Sequence, residues 1–191
     1  MIEYVDFPEI PGNITQKVLA LAEDYVKNFK SDRDNVDVHY AEYIDPGFTD
    51  KTLGVPLSEG VKIYPNLAFF SSLPAPDYLV TWIEQNMPVK GLNHIQVMHG
   101  GNPVGPHVDE LRLFSYNYLL TNDGSATAFY KPSAEYKDYS YGPYMTFAPE
   151  RLALVEQMVI TPRKWHKFPS TTIHGVDLIA PFRVSISIDI V

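Results

Sequence analysis

The C-terminal half of the chain consists of short segments rich in β-branched and aromatic residues, and this pattern constrains the fold most. From about residue 92 the segments follow one another, separated by turn signals such as "GGNPVG" and "NDG", with no helical pattern between them. Strands at this spacing predict an antiparallel sandwich or barrel. The predicted strands are "NHIQVMHG", "RLFSYNYLL", "ATAFYKP", "LALVEQMVIT", "RKWHKFP" and "RVSISIDIV".

Two stretches of the N-terminal half have helical periodicity. Apolar residues recur every three or four positions over 14–29, and Asn13 or Thr15 is a candidate cap for this helix. A second helix is predicted over 75–87, where Pro76 suits the first turn and Pro88 ends the pattern. Both helices precede the predicted strands, so helices and strands are segregated along the chain.

This segregation predicts one α+β domain over 1–191 with a jelly-roll core. Residues 31–66 are polar and interrupted by proline and glycine, which favours loops with short strands. We therefore assign 1–91 to an N-terminal region of supporting helices and loops. Residues 92–191 then form the jelly-roll catalytic core.

Charge and composition exclude several classes of function. The net charge is −8 with no run of basic residues, so a nucleic-acid partner is not expected. The chain has no cysteine, which excludes disulfides, zinc–thiolate sites and thiol nucleophiles. It shows no signal-peptide pattern and no apolar run of the ~20 residues that span a bilayer. We expect a soluble, intracellular (cytoplasmic) protein without a membrane partner; its oligomeric state is not indicated.

Two histidines and a carboxylate have the spacing of a metal site. His107 and Asp109 lie two apart in an extended segment, so they project to the same side, and His174 comes from a distant strand. Two histidines and one carboxylate on one face of Fe(II) leave the other face open for substrate and O2. By itself a His-x-Asp pair is better explained as a polar turn before a strand.

An arginine on the last predicted strand strengthens the metal hypothesis. Arg183 follows His174 by nine residues, and Ser185 projects to the same side of the strand. A guanidinium is planar, permanently charged and able to bind a carboxylate through two hydrogen bonds. Arg183 therefore suits a dianionic co-substrate held next to an open ferrous site, and Ser185 can donate one more hydrogen bond.

Four stretches, in consistent order, resemble the Fe(II)- and 2-oxoglutarate-dependent oxygenases, and most of all their prolyl-hydroxylase-like branch. The resemblance covers roughly residues 92–191 and extends weakly to the helix at 75–87. It implies a double-stranded β-helix core. The stretches are "VMHGGNPVGPHVD" (97–109), "SYNYLLTNDGSATAFY" (115–130), "FPSTTIHGV" (168–176) and "FRVSISI" (182–188).

The resemblance implies a role for each motif residue. His107, Asp109 and His174 would bind Fe(II), and Arg183, with Ser185, would bind the distal carboxylate of 2-oxoglutarate. The family consumes 2-oxoglutarate and O2, releases succinate and CO2, and usually hydroxylates its primary substrate. An amino acid, a peptidyl side chain or another small metabolite are the substrate classes that stay open.

Other contacts follow from the resemblance less directly. Tyr118 falls on a tyrosine that reaches the same carboxylate in this branch, and Tyr116 would face the same pocket, although a core aromatic explains it equally well. His99 stands where the branch often has a tyrosine near the proximal carboxylate, which is a departure. Arg112 could reach a substrate carboxylate, but a solvated arginine at a strand start explains it better.

Two further alternatives concern the whole protein. A cupin-type metal enzyme that does not use 2-oxoglutarate would need no clamp such as Arg183. A non-catalytic jelly-roll binding module would need no set of metal ligands.

His166 is a rival third ligand, set aside because "WHKF" is a mid-strand pattern, and His94 has no partner pattern. The tyrosine-rich stretch 130–147 is either a lid or an exposed loop.

Overall fold

The described part of the chain contains two helices and two β-sheets. The computed structural model describes residues 2–28, 69–99, 104–109, 113–121, 124–132, 144–146, 152–177 and 182–190. For 69–71, 105, 109 and 144–146 it describes the backbone alone. Residue 112, the range 31–66 and most of the stretch 130–147 lie outside the described residues, and with them the predictions made for those positions.

Both predicted helices are confirmed. Helix α1 spans Gly12–Asn28 and α2 spans Asp77–Asn86. Pro76 occupies the position before the first turn of α2, as its missing N–H allows. The hydroxyl of Thr15 donates to the Gly12 carbonyl at 3.0 Å within the first turn of α1. Neither helix combines the length and the apolar character needed to cross a membrane.

All six predicted strands are present within about two residues of their expected ends, and five further strands accompany them. One of the additional strands holds the His-x-Asp motif and another begins at the distal histidine. The strands are β1 Glu3–Tyr4, β2 Phe69–Pro74, β3 Leu92–His99, β4 Val104–Asp109, β5 Phe114–Leu119, β6 Ala126–Pro132, β7 Tyr144–Thr146, β8 Leu152–Val159, β9 Trp165–Pro169, β10 His174–Val176 and β11 Phe182–Ile190.

The strands form two antiparallel sheets. The large sheet has the order β1-β9-β5-β11-β3-β2, and the small sheet has the order β7-β4-β10-β6-β8. Strands β1 and β2 come from the N-terminal region, and they lie at the two ends of the described large sheet. The N-terminal region therefore contributes strands as well as helices.

The two faces of the large sheet have different surroundings. Along β11, Val184, Ile186 and Ile188 are fully buried in one apolar cluster with residues of both helices, such as Val18 and Leu79. Burial of each of these side chains stabilises the fold by about 1.5–3 kcal/mol. We call this side of the large sheet the helix face.

The opposite side of the large sheet, which we call the inner face, looks onto the small sheet. Phe168 of β9 and Phe129 of β6 make an edge-to-face contact across the two sheets, with ring centroids 5.6 Å apart. Every second residue of β11 from Arg183 to Asp189 has its side chain on this inner face, because side chains alternate along a strand.

Gly91 permits a close approach of β3 to β11 where β3 begins. A Cβ atom at this position would lie 2.3 Å from the backbone oxygen of Asp189, a distance that no side chain tolerates. The absence of a side chain at Gly91 thus sets how tightly the start of β3 packs against the end of β11.

Candidate active site

The two predicted histidine ligands lie side by side in the small sheet. His107 of β4 and His174 of β10 are directly paired across neighbouring antiparallel strands. Their ring centroids are 4.4 Å apart. Residues 67 positions apart in the sequence are therefore brought together by strand pairing alone.

His174 has the surroundings of a metal ligand. Its Nδ1 lies 2.8 Å from the Thr172 carbonyl oxygen, so Nδ1 carries the proton and donates to it. This tautomer leaves the lone pair on Nε2, which is the arrangement usual for metal-bound histidine. The ring also lies 4.7 Å from that of Phe168 on the large sheet, which places His174 in the space between the sheets.

The predicted carboxylate ligand lies on the same strand as His107. Asp109 is the last residue of β4, and its backbone pairs with Tyr144 of β7. The period of two in a strand gives positions 107 and 109 the same face. Among the residues whose side chains are described, no group of three potential ligands converges. The donor set of two imidazoles plus the carboxylate predicted at 109 suits Fe(II).

Arg183 reaches from the large sheet to the small sheet. Its side chain is 6% exposed, and its two terminal nitrogens donate to the Ser125 carbonyl and to the Thr127 hydroxyl, each at 3.4 Å. These hydrogen bonds are near the upper limit of length and are therefore weak. A buried guanidinium is most stable beside an anion, so this position suits a carboxylate-bearing ligand.

Ser185 lies on the inner face, two residues after Arg183, as the Arg-x-Ser pattern predicts. Its side chain is buried, and its Oγ donates to Oε1 of Gln96 at 3.3 Å. Arg183 and Ser185 thus share one wall of the space between the sheets.

The two tyrosines assigned to the co-substrate lie on the other side of the large sheet, which corrects that assignment. Tyr118 pairs with Ile186 on the helix face, and its ring lies 5.0 Å from Trp165. Tyr116 lies on the same face, with its ring 5.1 Å from Phe7. Their partners on β11, Ile186 and Ile188, are three and five residues from Arg183 and therefore point to the opposite face. The sheet itself thus separates both tyrosine side chains from Arg183.

The surroundings of the Tyr118 hydroxyl agree with this placement. Burial raises the pKa of the phenol, the charge of Glu9 raises it further, and the backbone N–H of Ile10 opposes the rise. Within the described chain, no hydrogen bond of regular geometry reaches the hydroxyl. Tyr118 is therefore a core residue under the N-terminal segment.

His99 is also on the helix face, so its assignment to the co-substrate is corrected too. It pairs with Phe182, and its ring lies 6.4 Å from that of Tyr25 in α1. Burial lowers the pKa of His99. Arg112, the candidate substrate contact, lies outside the described residues.

The inner face carries polar residues that the sequence interpretation did not assign. Part of their signal was available, because polar residues occupy every second position from Arg183 to Asp189 and also positions 94, 96, 115 and 117. All of them are buried, although the space between two packed sheets is usually filled by apolar side chains. The additional residues are His94, Gln96, Ser115, Asn117, His166, Ser187 and Asp189.

Several of these residues form a row of polar contacts. Ser185 contacts Gln96, and the Gln96 amide nitrogen lies 3.3 Å from Nε2 of His94. Nδ1 of His94 lies 3.6 Å from a carboxylate oxygen of Asp189, and the Ser115 hydroxyl donates to the other oxygen. The row therefore runs along the inner face from the neighbourhood of Arg183 to the end of β11.

His166 stands beside this row as a neutral side chain. Burial lowers its pKa to about 4, although the hydrogen bond to the Lys164 carbonyl raises it and the charge of Arg183 lowers it. His166 pairs with Asn117 in the large sheet, whereas His107 and His174 lie in the small sheet. The uncharged His166 therefore adds no second positive charge to that of Arg183.

No known family model and no curated protein matches this chain. Among solved structures, the epimerase SnoN in complex with Fe3+, alpha ketoglutarate and nogalamycin RO is similar with a TM-score of 0.43 and 11% identity, over 97% of this chain and 78% of that chain. E. coli ycfD is similar with a TM-score of 0.36 and 14% identity, over 51% of this chain and 25% of that chain. An 11S globulin from Wrightia tinctoria is similar with a TM-score of 0.36 and 9% identity, over 65% of this chain and 25% of that chain. This chain thus corresponds to only a quarter of the length of the last two. Similarity at this level establishes neither family nor activity.

Proposed function

We propose that this chain is an Fe(II)- and 2-oxoglutarate-dependent oxygenase with a double-stranded β-helix core. One observation carries the proposal: a paired set of histidines and a buried arginine face the same inter-sheet space from opposite sheets. His107 and His174 lie in the small sheet, and Arg183 reaches that sheet from the large one. A metal site and an anion site within one enclosed space suit a metal-bound dicarboxylate.

The strand order supports the core architecture. Along the chain, β3, β5, β9 and β11 belong to the large sheet, and β4, β6, β8 and β10 belong to the small one. The chain therefore passes repeatedly from sheet to sheet, with β6 and β8 as neighbours in the small sheet. Eight strands in two sheets with this alternation are characteristic of a jelly roll.

Each part of the site would have a distinct role. His107, Asp109 and His174 would hold Fe(II), and Arg183 with Ser185 would bind the far carboxylate of 2-oxoglutarate. Iron with 2-oxoglutarate and O2 supplies oxidation of unactivated C–H bonds, with release of succinate and CO2, commonly as hydroxylation. The chain's own residues orient the ligands and exclude water, since the Phe129 and Phe168 rings pack beside His174.

The primary substrate in this proposal is a small molecule or a peptidyl side chain. The net charge of −8 disfavours a polyanionic substrate. The buried polar row on the inner face favours a substrate with several hydrogen-bonding groups over a purely apolar one.

Anaerobic addition of Fe(II) and 2-oxoglutarate tests the proposal. We expect a weak visible charge-transfer band, and succinate formation once O2 is admitted. His174→Gln should abolish both signals because it removes a metal ligand. His99→Gln is the matched control, since His99 lies on the helix face, and it should retain them.

Circular dichroism would verify that each variant is folded. Failure of the folded natural protein to give a band, or a band that survives His174→Gln at full strength, would refute the oxygenase proposal. The first outcome would favour a binding module, and metal binding without any effect of 2-oxoglutarate would favour a cupin-type enzyme.

A further inference from the structure

Two neighbouring side chains on the inner face have hydrogen-bonding groups that the described part of the chain leaves unused. Asn117 of β5 is 5% exposed, and His166 of β9 is 3% exposed. The two residues are directly paired across neighbouring antiparallel strands. Side chains in such pairs have Cβ atoms about 4.5–5.5 Å apart. The polar ends of Asn117 and His166 therefore share one buried region of the inner face.

Asn117 presents a donor to this region. The Ser187 hydroxyl donates to Oδ1 of Asn117 at 2.5 Å, and Ser187 is fully buried. This hydrogen bond occupies the acceptor end of the amide and turns its NH2 group away from Ser187. Among the residues that the structure describes, none accepts a hydrogen bond from this NH2 group. The NH2 group of Asn117 is thus a buried donor that a ligand can use.

His166 presents an acceptor to the same region. Its Nδ1 lies 3.3 Å from the Lys164 carbonyl oxygen, which can only accept, so Nδ1 carries the proton of the neutral ring. Burial lowers the pKa of His166 to about 4, so the ring stays neutral at physiological pH. The lone pair therefore remains on Nε2, and no donor within the described ranges forms a hydrogen bond with it.

The pair lies next to both parts of the candidate active site. His166 precedes Phe168 by two residues on β9, and the Phe168 ring lies 4.7 Å from that of His174. Arg183 is close enough for its charge to act on His166. A ligand group bound by Asn117 and His166 thus occupies the inter-sheet space that holds the candidate metal ligands and the arginine.

We propose that Asn117 and His166 form a subsite for a neutral amide group of the primary substrate. The inference rests on the proposed function, which assigns the anionic co-substrate to Arg183 and leaves this pair to the substrate. The amide oxygen accepts a hydrogen bond from the Asn117 NH2 group, and the amide N–H donates to Nε2 of His166.

The chemistry of the pair selects an amide over other small groups. A carboxylate only accepts, so it cannot pair with the Nε2 lone pair, and an ammonium only donates, so it cannot pair with the Asn117 NH2 group. An alcohol must use a single oxygen for both partners. An amide offers an acceptor and a donor on two separate atoms. A ligand that leaves either buried group unpaired binds more weakly.

Magnetic resonance of the full chain with isotope-labelled histidine tests the inference, because the Nε2 frequency of a neutral imidazole responds to an accepted hydrogen bond. The amide probes are propanamide and N-acetylglycinamide, and the comparison probes are propanoate and propanol. Titrations use the protein without added iron, and the protein with diamagnetic Zn(II) and 2-oxoglutarate.

We expect at least one amide to shift the His166 Nε2 resonance and to bind about tenfold or more tightly than propanoate and propanol. The loss of this resonance in His166→Phe assigns it. The resonances of His99, which lies on the helix face, should stay unchanged and provide the internal control.

Three variants locate the preference. His166→Phe removes the acceptor and Asn117→Leu removes the donor, so each should lower amide affinity about tenfold and leave the affinity for propanoate and propanol within about twofold. The Asn117 side-chain resonances follow binding to His166→Phe, which keeps the test decisive if Asn117→Leu fails to fold. Asn86→Leu is the matched control, because Asn86 is exposed at the end of α2, and it should retain the full preference.

Failure of both amides to shift the Nε2 resonance would show that only water pairs with the two groups, and it would overturn the inference. Equal affinity for amide, carboxylate and alcohol, or an amide preference that both substitutions leave unchanged, would do the same. This result is separable from failure of the proposed function. A charge-transfer band without amide preference removes only the amide subsite, and an amide preference without a band removes only the oxygenase.

Discussion

Arg183 and Tyr118 lie on neighbouring strands, yet they point to opposite faces of the large sheet. Arg183 reaches Thr127 in the space between the sheets, whereas the Tyr118 ring packs against Trp165 under the N-terminal segment. The position of each side chain relative to the sheet therefore decides which of them can contact an anionic co-substrate.

At the residue scale, the two side chains should respond differently to conservative substitution. Arg183→Lys keeps the charge but loses the bidentate guanidinium, so the KM for 2-oxoglutarate should rise about tenfold or more. Tyr118→Phe should leave this KM within about twofold, because the hydroxyl faces the backbone of Ile10. Succinate formation as a function of 2-oxoglutarate concentration measures both effects.

A matched control for Arg183→Lys is Arg163→Lys, because Arg163 is exposed in the turn before β9. A large rise in KM caused by Tyr118→Phe would contradict the placement of Tyr118 on the helix face. An unchanged KM in Arg183→Lys would remove the arginine from the co-substrate site.

At the scale of single elements, β11 joins two environments in one strand. Its isoleucines and Val184 are buried beneath the helices, and its polar residues from Arg183 to Asp189 line the inner face. This strand also pairs with both β3 and β5, so it lies inside the large sheet and has no edge open to solvent. Loss of packing on the helix face should thus affect global stability.

Ile186→Ala should lower the free energy of unfolding by about 2–5 kcal/mol, because it leaves a cavity at a fully buried position. Val155→Ala is the control on β8, where the side chain is 55% exposed, and it should change stability by no more than about 0.5 kcal/mol. Urea unfolding followed by circular dichroism measures both. Equal effects of the two substitutions would show that Ile186 is not buried under the helices.

At the scale of the whole molecule, burial of a neutral histidine makes stability depend on pH. The pKa of His166 is lowered to about 4 in the folded protein, against about 6.5 in an unfolded chain. Between these two values the unfolded chain binds more protons than the folded protein. Stability contributed by neutral His166 is therefore fully present above pH 6.5 and is lost as the pH falls toward 4.

This difference predicts a loss of about 2 kcal/mol in the free energy of unfolding between pH 7 and pH 5 from His166 alone. His166→Gln removes the titrating group, so the variant should lose about 2 kcal/mol less than the natural protein over the same range. Urea unfolding at both pH values measures the difference. Identical pH dependence in the two proteins would show that His166 is not held neutral.

The local elements of this protein could be predicted from its sequence because their signals are local. Both helices follow from a period of 3.6, and the strands of the second half follow from a period of two with turn residues between them. The same period placed Arg183 and Ser185 on one side of a strand. It also singled out His107 with Asp109, and the structure pairs His107 with the distant His174 on a neighbouring strand.

Only the tertiary structure decided which side of each strand faces inward. A period of two defines two faces but does not say which is covered by helices and which by another sheet. Here the apolar face of the large sheet packs under α1 and α2, and the polar face becomes the wall of the inter-sheet space. That choice depends on helices distant in the sequence. As a result, Tyr116, Tyr118 and His99 lie on the helix face, away from the candidate site, whereas His94 and Asp189 lie on the inner face.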